Sequence, residues 1–355
     1  MLLDRVLGGF LERTLTDTAY YERVCRPLLY RLAAGSPERA HKLAVWALNR
    51  AQETVAAAGE RLDAPELRVR LFGKEVVPLG TAAGFDKDAE ALWPFGELFG
   101  FQVIGTVPEQ RRRGNRGPRV YMDAQARTGY NAQGFPSKGR RYVERQAAAY
   151  REAGGDGALV ASVCGLPEGD GLAGSRKELA GLVRAFKPYV DAFEWNPYSP
   201  NTRALAELRV PKEFRVAAGI IAEHAPDKPR LVKVGPALPS LEGWWLGLID
   251  AYLQAGGTGV VALNTQVVPR SQVPAEEWEY QSAGRSGRPL YEPAKSAVAT
   301  LRAALRTTLD AGSGCVMSFA RRDSARACHS RAPVARSGCP PAARQARRTR
   351  GTCTR

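Results

Sequence analysis

Apolar positions along the chain fall into two regimes. Over residues 1–60 they recur at helical spacing: Leu3, Val6, Leu7 and Phe10 share a face, with Asp4, Arg5, Glu12 and Arg13 between or beside them. A second helix is predicted from Ser36-Pro37-Glu38 onward, carrying His41, Leu43, Trp46 and Leu48. From residue 76 the pattern changes to short apolar runs that end in glycine or polar residues: 76–83, 101–107, 158–163, 189–195, 231–234 and 259–263. Helical stretches such as 137–153 and 175–186 lie between them. Strands without clean alternation, interleaved with helices, indicate a parallel sheet covered on its outer face. Six such units favour a (β/α)8 barrel of the TIM type over an open doubly wound sheet. No GxGxxG follows the first run, which argues against a dinucleotide-binding Rossmann domain.

The N-terminal helices mix aromatic and basic side chains (Tyr20, Tyr21, Arg23, Arg26, Tyr30, Arg31 and Trp46). Such a composition suits a helix lying in a membrane interface, and it equally suits a helical cap on a domain. No window of 18 uninterrupted apolar residues is present, so a membrane-spanning helix is not expected. The N-terminus also lacks the apolar block and small-residue cleavage site of a signal peptide. Six cysteines without a CxxC argue against a zinc site, and the chain reads as reducing and cytosolic.

Every run ends in groups able to do chemistry. The first leads to Ala83-Gly84-Phe85-Asp86-Lys87, and the second ends Gly105-Thr106-Val107. The loop after it supplies Asn131-Ala132-Gln133-Gly134-Phe135. The fourth delivers Asn196-Pro197-Tyr198-Ser199-Pro200-Asn201-Thr202, and the sixth Asn264-Thr265, followed by a glycine-rich loop at 284–288. Strand ends of a barrel are where catalysis is built. Taken alone, Ser199-Pro200 is also a good helix start, with serine as N-cap and proline at the first helical position. Lys233 sits inside Leu-Val-Lys-Val-Gly, where a buried ammonium needs a partner. It either faces solvent at an edge or meets something anionic. A flavin or a phosphate would serve, since a cation beside the flavin N1–C2 edge stabilises the reduced anion.

Together, AGFDKD (83–88), GTV (105–107), NAQGF (131–135), NxxSPNT (196–202), VKV (232–234), NT (264–265) and SGRPL (286–290) resemble the dihydroorotate dehydrogenases, FMN enzymes on a (β/α)8 barrel. Residues 20–48 resemble the N-terminal helical extension of the quinone-linked, membrane-associated class, and serine at position 199 agrees with that class. The resemblance spans roughly residues 20–305. It implies that Ala83, Gly84, Phe85, Asp86, Lys87, Thr106, Ser162, Asn196, Lys233 and Gly287 hold FMN. Lys87, Asn131, Ala132, Gln133, Gly134, Phe135, Asn196, Asn201, Asn264 and Thr265 would bind dihydroorotate. Ser199 would remove the C5 proton while hydride leaves C6, and a membrane quinone would take the electrons. No metal is implied. A peripheral enzyme on the cytoplasmic side of the membrane follows, monomeric by preference and serving UMP synthesis.

Several positions depart from that pattern. Ser162 stands where the family shows asparagine, Ala132 where arginine is common, Leu263 in place of threonine, and Tyr198 in place of a small residue. These changes weaken the expected FMN contacts.

Charge sharpens the picture at the C-terminus. The net charge is +15, yet residues 321–355 hold ten arginines and one aspartate, leaving +6 for the rest. Four of the six cysteines (Cys315, Cys328, Cys339 and Cys353) also fall late, and Val334 is the one large apolar residue after 320. The expected partition is a helical segment over 1–65, an incomplete FMN barrel over 66–306 and a basic tail over 307–355. The tail reads as a nucleic-acid arm, a disordered extension or the barrel's own coding sequence out of frame. The last is preferred, because the break falls inside an expected α/β unit. Nucleic acid is therefore not an expected partner. Without the last two strand units the FMN phosphate would lack its usual loops, so weak FMN binding and little turnover are expected. The rival functions are a degenerate, non-catalytic relative and nucleic-acid association through the tail.

Overall fold

The structure is a computed structural model that describes residues 2–199, 202–236, 242–304 and 315–317. Five helices come first: α1 (Leu2–Thr16), α2 (Thr18–Tyr20), α3 (Arg26–Leu32), α4 (Pro37–Arg50) and α5 (Gln52–Leu62), with a π-helical turn over Tyr21–Cys25. The predicted start of α4 holds, since the Ser36 hydroxyl accepts from the Arg39 amide and Pro37 opens the first turn. A hairpin of β1 (Val69–Leu71) and β2 (Lys74–Val76) follows, then α6 (Leu92–Leu98).

The core of the molecule is a parallel sheet wound in chain order. Its strands are β3 (Phe101–Val107), then β6 (Ala158–Val163), β7 (Ala192–Trp195), β8 (Arg230–Val234), β9 (Gly259–Ala262) and β12 (Cys315–Met317), each beside the next. Between β3 and β6 lie β4 (Val120–Asp123) and β5 (Thr128–Asn131). Between β9 and β12 lie β10 (Gln266–Pro269) and β11 (Ser282–Gly287). These four form a separate antiparallel sheet in the order β10-β11-β5-β4. The helices α7 (Arg140–Glu152), α8 (Gly171–Phe186), α9 (Pro211–His224) and α10 (Glu242–Gln254) cross over between parallel strands, and α11 (Tyr291–Ala304) precedes β12.

The absence of alternation has the expected cause, since β3, β6, β7 and β9 are buried along their whole length. One strand face packs outward on helices, joining Leu159, Phe193 and Val232 to Leu182, Phe214, Ile221 and Tyr252. The other face forms a smaller apolar layer of Val76, Phe101, Val103, Ala158, Val160, Ala192, Leu231 and Val261. The hairpin closes this layer from below, with the Phe72 ring set edge-on against Phe101. Period two then decides what stands above it. Ser162 follows Val160, Glu194 follows Ala192 and Lys233 follows Leu231 on the same face.

Three sequence expectations change. The run 76–83 is not a strand beyond Val76, because Pro78 has no amide to give a ladder. It tracks β3 through single parallel bridges, Gly80 with Phe101 and Asp86 with Ile104. The supposed loop at 284–288 is largely strand, with Gly284 opposite Asn131 and Gly287 opposite Thr128. Glycine is required at the end of that ladder, since a Cβ on Gly287 would lie 2.2 Å from the Arg127 carbonyl. The sheet also continues past residue 306, for Cys315–Met317 pairs in parallel with β9. The basic residues 318–355, and with them the choice among the three readings of the tail, lie outside the described residues.

Candidate active site at the strand tips

The polar ends of β3, β6, β7 and β9 meet in one hydrogen-bonded cluster, which Lys233 of β8 joins through an ion pair. The Ser162 hydroxyl donates to Glu194 Oε1 at 2.7 Å and lies 2.9 Å from Thr106 Oγ1. Thr106 Oγ1 accepts from Asn196 Nδ2 at 2.7 Å. The other end of that amide, Asn196 Oδ1, accepts from Asn264 Nδ2 at 3.0 Å and from the Tyr198 amide at 3.2 Å. Asn264 Nδ2 also donates to the Tyr198 carbonyl. The Lys233 ammonium lies 3.8 Å from Glu194 Oε1, with both side chains almost wholly buried. Thus the anion that meets Lys233 within the fold is a carboxylate of the adjacent strand. Ser162 is completely buried, so its hydroxyl supports Thr106 from beneath and does not reach the surface of the site.

Backbone geometry brings the first loop to the same place. The Gly84 amide donates to the Gly105 carbonyl at 2.6 Å, and the Gly105 amide to the Asp86 carbonyl at 3.1 Å. Gly105 has φ +96°, and a Cβ there would lie 2.3 Å from the Ser162 carbonyl. Gly84 has φ +98° with open space beside its Cα, so a flat ligand can approach its backbone. The side chains of this loop diverge. The Asp86 carboxylate accepts the Glu90 and Ala91 amides at 2.8 and 2.9 Å, and burial pushes its pKa up to about 6. The Phe85 ring packs on His41 of α4 and on Phe95 of α6. The Lys87 ammonium donates to the Gly84 carbonyl at 2.9 Å, and burial pulls its pKa down to about 8.

Ser199 is half-buried, three residues beyond Asn196. It does not cap the helical turn Arg203–Leu208, whose N-cap is Thr202. Pro200 and Asn201 lie outside the described residues. The Tyr198 phenol is buried without a hydrogen-bond partner among the described residues, and burial pushes its pKa up to about 12. Its ring lies beneath the Arg209 guanidinium, 4.9 Å away.

Asn131 belongs to the antiparallel sheet, where its amide donates to the Gly284 carbonyl at 3.0 Å. The loop after it is clamped by Asn115, whose side-chain amide donates to the Ala132 carbonyl at 2.8 Å and whose backbone amide donates to the Gln133 carbonyl at 3.0 Å. Gly134 and Phe135 both have positive φ, +67° and +54°. Beside Gly134 opens a cleft of about 330 Å³ lined by Arg111, Arg112, Arg113, Gly114 and Asn115. Thr265 is held to its neighbour, its amide donating to Asn264 Oδ1 at 2.7 Å. Gly287 stands apart, three residues along the ladder from the Asn131 end, or roughly 10 Å at strand spacing.

Sequence reasoning passed over Glu194, which lay hidden inside a run read as apolar. Its parity was the available signal, since it alternates with Ala192 and Asn196 on one face.

A sequential parallel sheet with convergent amides, hydroxyls and a lysine at its strand ends defines an α/β enzyme of the barrel type. The family model described as dihydroorotate dehydrogenase matches residues 66–320. A protein of Anaeromyxobacter dehalogenans (strain 2CP-C) named dihydroorotate dehydrogenase (quinone) is 33% identical over 276 residues, covering 75% of this chain and 72% of its own. One of the same name from Salinispora arenicola is 33% identical over 300 residues, covering 79% and 82%. A crystal structure of DHODH from Eimeria tenella in complex with ferulenol superposes with a TM-score of 0.66 at 22% identity, covering 80% and 79% of the two chains. The chain belongs to the dihydroorotate dehydrogenase family. Among the described residues, no helix is long and apolar enough to cross a membrane, and no group of side chains is arranged to hold a metal.

Proposed function

We propose that this chain oxidises dihydroorotate to orotate, using FMN and passing electrons to a membrane quinone, in the synthesis of UMP. The observation that carries this reading is the cluster joining Thr106, Asn196, Lys233 and Asn264 beside Ser199. Amide and hydroxyl groups fixed around one spot are what holding a flat, hydrogen-bonding heterocycle requires. The site fits FMN at its ring end: Gly84 leaves open space, and Lys233, Asn196 and Thr106 supply polar contacts. FMN, when bound, supplies the acceptor for a hydride.

The residues would then divide the work. Asn131, Asn196, Asn264 and Thr265 orient the pyrimidine, while Lys87 and the arginines beside Gly134 attract its carboxylate. Ser199 Oγ takes the C5 proton and needs a dry, hydrogen-bonded setting to do so. Phe85, Asp86 and Ser162 act on the architecture around the ring, with their side chains engaged elsewhere, and Gly287 acts through its backbone in the neighbouring ladder. The remaining contacts assigned by the resemblance (Ala83, Ala132, Gln133, Gly134, Phe135 and Asn201) stay part of the same reading.

The N-terminal helices provide the route for quinone. Val24, Leu28 and Leu32 form an exposed apolar stripe at i, i+4 spacing, and Trp46 is exposed on α4. α4 is tied to the barrel by Glu38, which accepts from Arg119 at 2.9 Å, and by His41 against Phe85. A peripheral enzyme on the cytoplasmic face, monomeric, with a helical segment over 1–65 and a barrel from residue 66 that runs past 306 into Cys315–Met317, completes the proposal.

The test is anaerobic addition of dihydroorotate to the FMN-loaded chain. Loading needs excess FMN, since the sequence shows neither of the two loops that usually hold the FMN phosphate. Flavin absorbance then bleaches in the wild type, while Ser199→Ala bleaches about 10²–10⁴-fold more slowly and still binds orotate. Wild-type rates in Ser199→Ala would remove the serine from its role.

A further inference from the structure

The Glu194 carboxylate is fully buried on the interior face of β7, directly above the apolar layer of Ala192, Leu231 and Val160. Oε1 takes a hydrogen bond from Ser162 and lies 3.8 Å from the Lys233 ammonium. Oε2 has no hydrogen-bond partner among the described residues. A buried, half-satisfied anion costs free energy, so packing does not explain its presence.

Its charge has a directional consequence. Because the Ser162 hydroxyl donates to Glu194, it can only accept from Thr106 at their 2.9 Å contact. Thr106 Oγ1 in turn accepts from Asn196 Nδ2, which leaves Asn196 Oδ1 facing Asn264 and the Tyr198 amide. One carboxylate therefore orders the donors along β6, β3 and β7, and the amide of β9 follows.

We propose that Glu194 is a positioning residue that offsets the charge of Lys233 and sets the donor direction of the site floor, so that a bound flavin faces a neutral ion pair. This rests on the FMN reading above. A lone cation beside the flavin N1–C2 edge favours the reduced anion, and a carboxylate beside that cation opposes it. The wild-type chain therefore holds reduced flavin less tightly than the same site would with Lys233 acting alone. Glu194→Gln keeps the size of the side chain and an acceptor for Ser162 while removing the charge.

The experiment measures the midpoint potential of FMN bound to the full chain, alongside FMN affinity by fluorescence titration and a thermal melt. Glu194→Gln is expected to favour flavin reduction by tenfold or more, which is about 30 mV for a two-electron couple. Adding Lys233→Met to it is expected to abolish the gain, because the gain acts through the lysine. A merely structural role would lower the melting temperature without this reversal. Should Glu194→Gln not fold, Glu194→Asp serves instead, since it draws the carboxylate back from Lys233 and should shift the potential the same way by less. An unchanged potential in whichever variant folds overturns the proposal and leaves the FMN reading standing. Failure of every form to bind FMN overturns both.

Discussion

Asp86 shows how burial outweighs hydrogen bonding at a single carboxyl. Two backbone amides favour its charged form, yet desolvation is the larger influence and lifts its pKa from 3.8 to about 6. The folded state thus binds this proton more tightly than the unfolded chain does. Its contribution to stability is fully present below about pH 4 and is lost as pH rises through about 6. Urea unfolding of the wild type and Asp86→Asn between pH 4 and 7 should show the wild-type advantage shrinking with rising pH, whereas a constant difference would contradict this account. Lys87 behaves in the opposite sense in charge, and in the proposed reading it attracts the substrate carboxylate. With a pKa drawn down to about 8, it loses its positive charge in mildly basic solution. Orotate affinity is therefore expected to decline above about pH 8, and Lys87→Arg to carry the decline to higher pH, because a guanidinium stays charged. Identical pH profiles for the two forms would remove Lys87 from substrate binding.

At the scale of elements, the parallel strands were legible because burial on both faces leaves uninterrupted apolar runs, as in Phe101–Val107 and Ala158–Val163. The same rule hid what mattered inside them. A run that tolerates few polar residues still admitted Glu194, and averaging over 189–195 concealed it. The antiparallel sheet was illegible for a different reason. Ser282–Gly287 is glycine-rich, carries no apolar alternation, and becomes a strand only through partners at Thr128–Asn131, far away in the chain. Likewise Pro78 turned an apparent first strand into a chain tethered by isolated bridges. The amphipathic N-terminal helices were plain from spacing, and the structure adds that one apolar stripe is left exposed. Leu28 is 44% and Leu32 68% accessible to solvent, so charge introduced there disturbs no core. Leu28→Asp with Leu32→Asp is expected to abolish co-sedimentation with anionic lipid vesicles while leaving the melting temperature within a few degrees. Undiminished vesicle binding would place the membrane contact elsewhere.

For the molecule as a whole, the two sheets divide the labour. The parallel sheet carries the buried cluster and the antiparallel one carries Asn131, with Asn264-Thr265 at the crossing from β9 into β10. The amide of Asn196 is what makes the parallel side respond as one body. It binds Thr106 with its nitrogen and Asn264 with its oxygen, so it functions as a keystone between loops that are distant in sequence. Taking out a keystone lets every neighbouring stone slip, and taking out the next one then changes little. Asn196→Ala and Asn264→Ala should accordingly be strongly non-additive, with the double variant losing scarcely more orotate affinity than the worse single one. Simple addition of the two losses would mean that each amide merely touches ligand, and that the arch they form has no mechanical meaning.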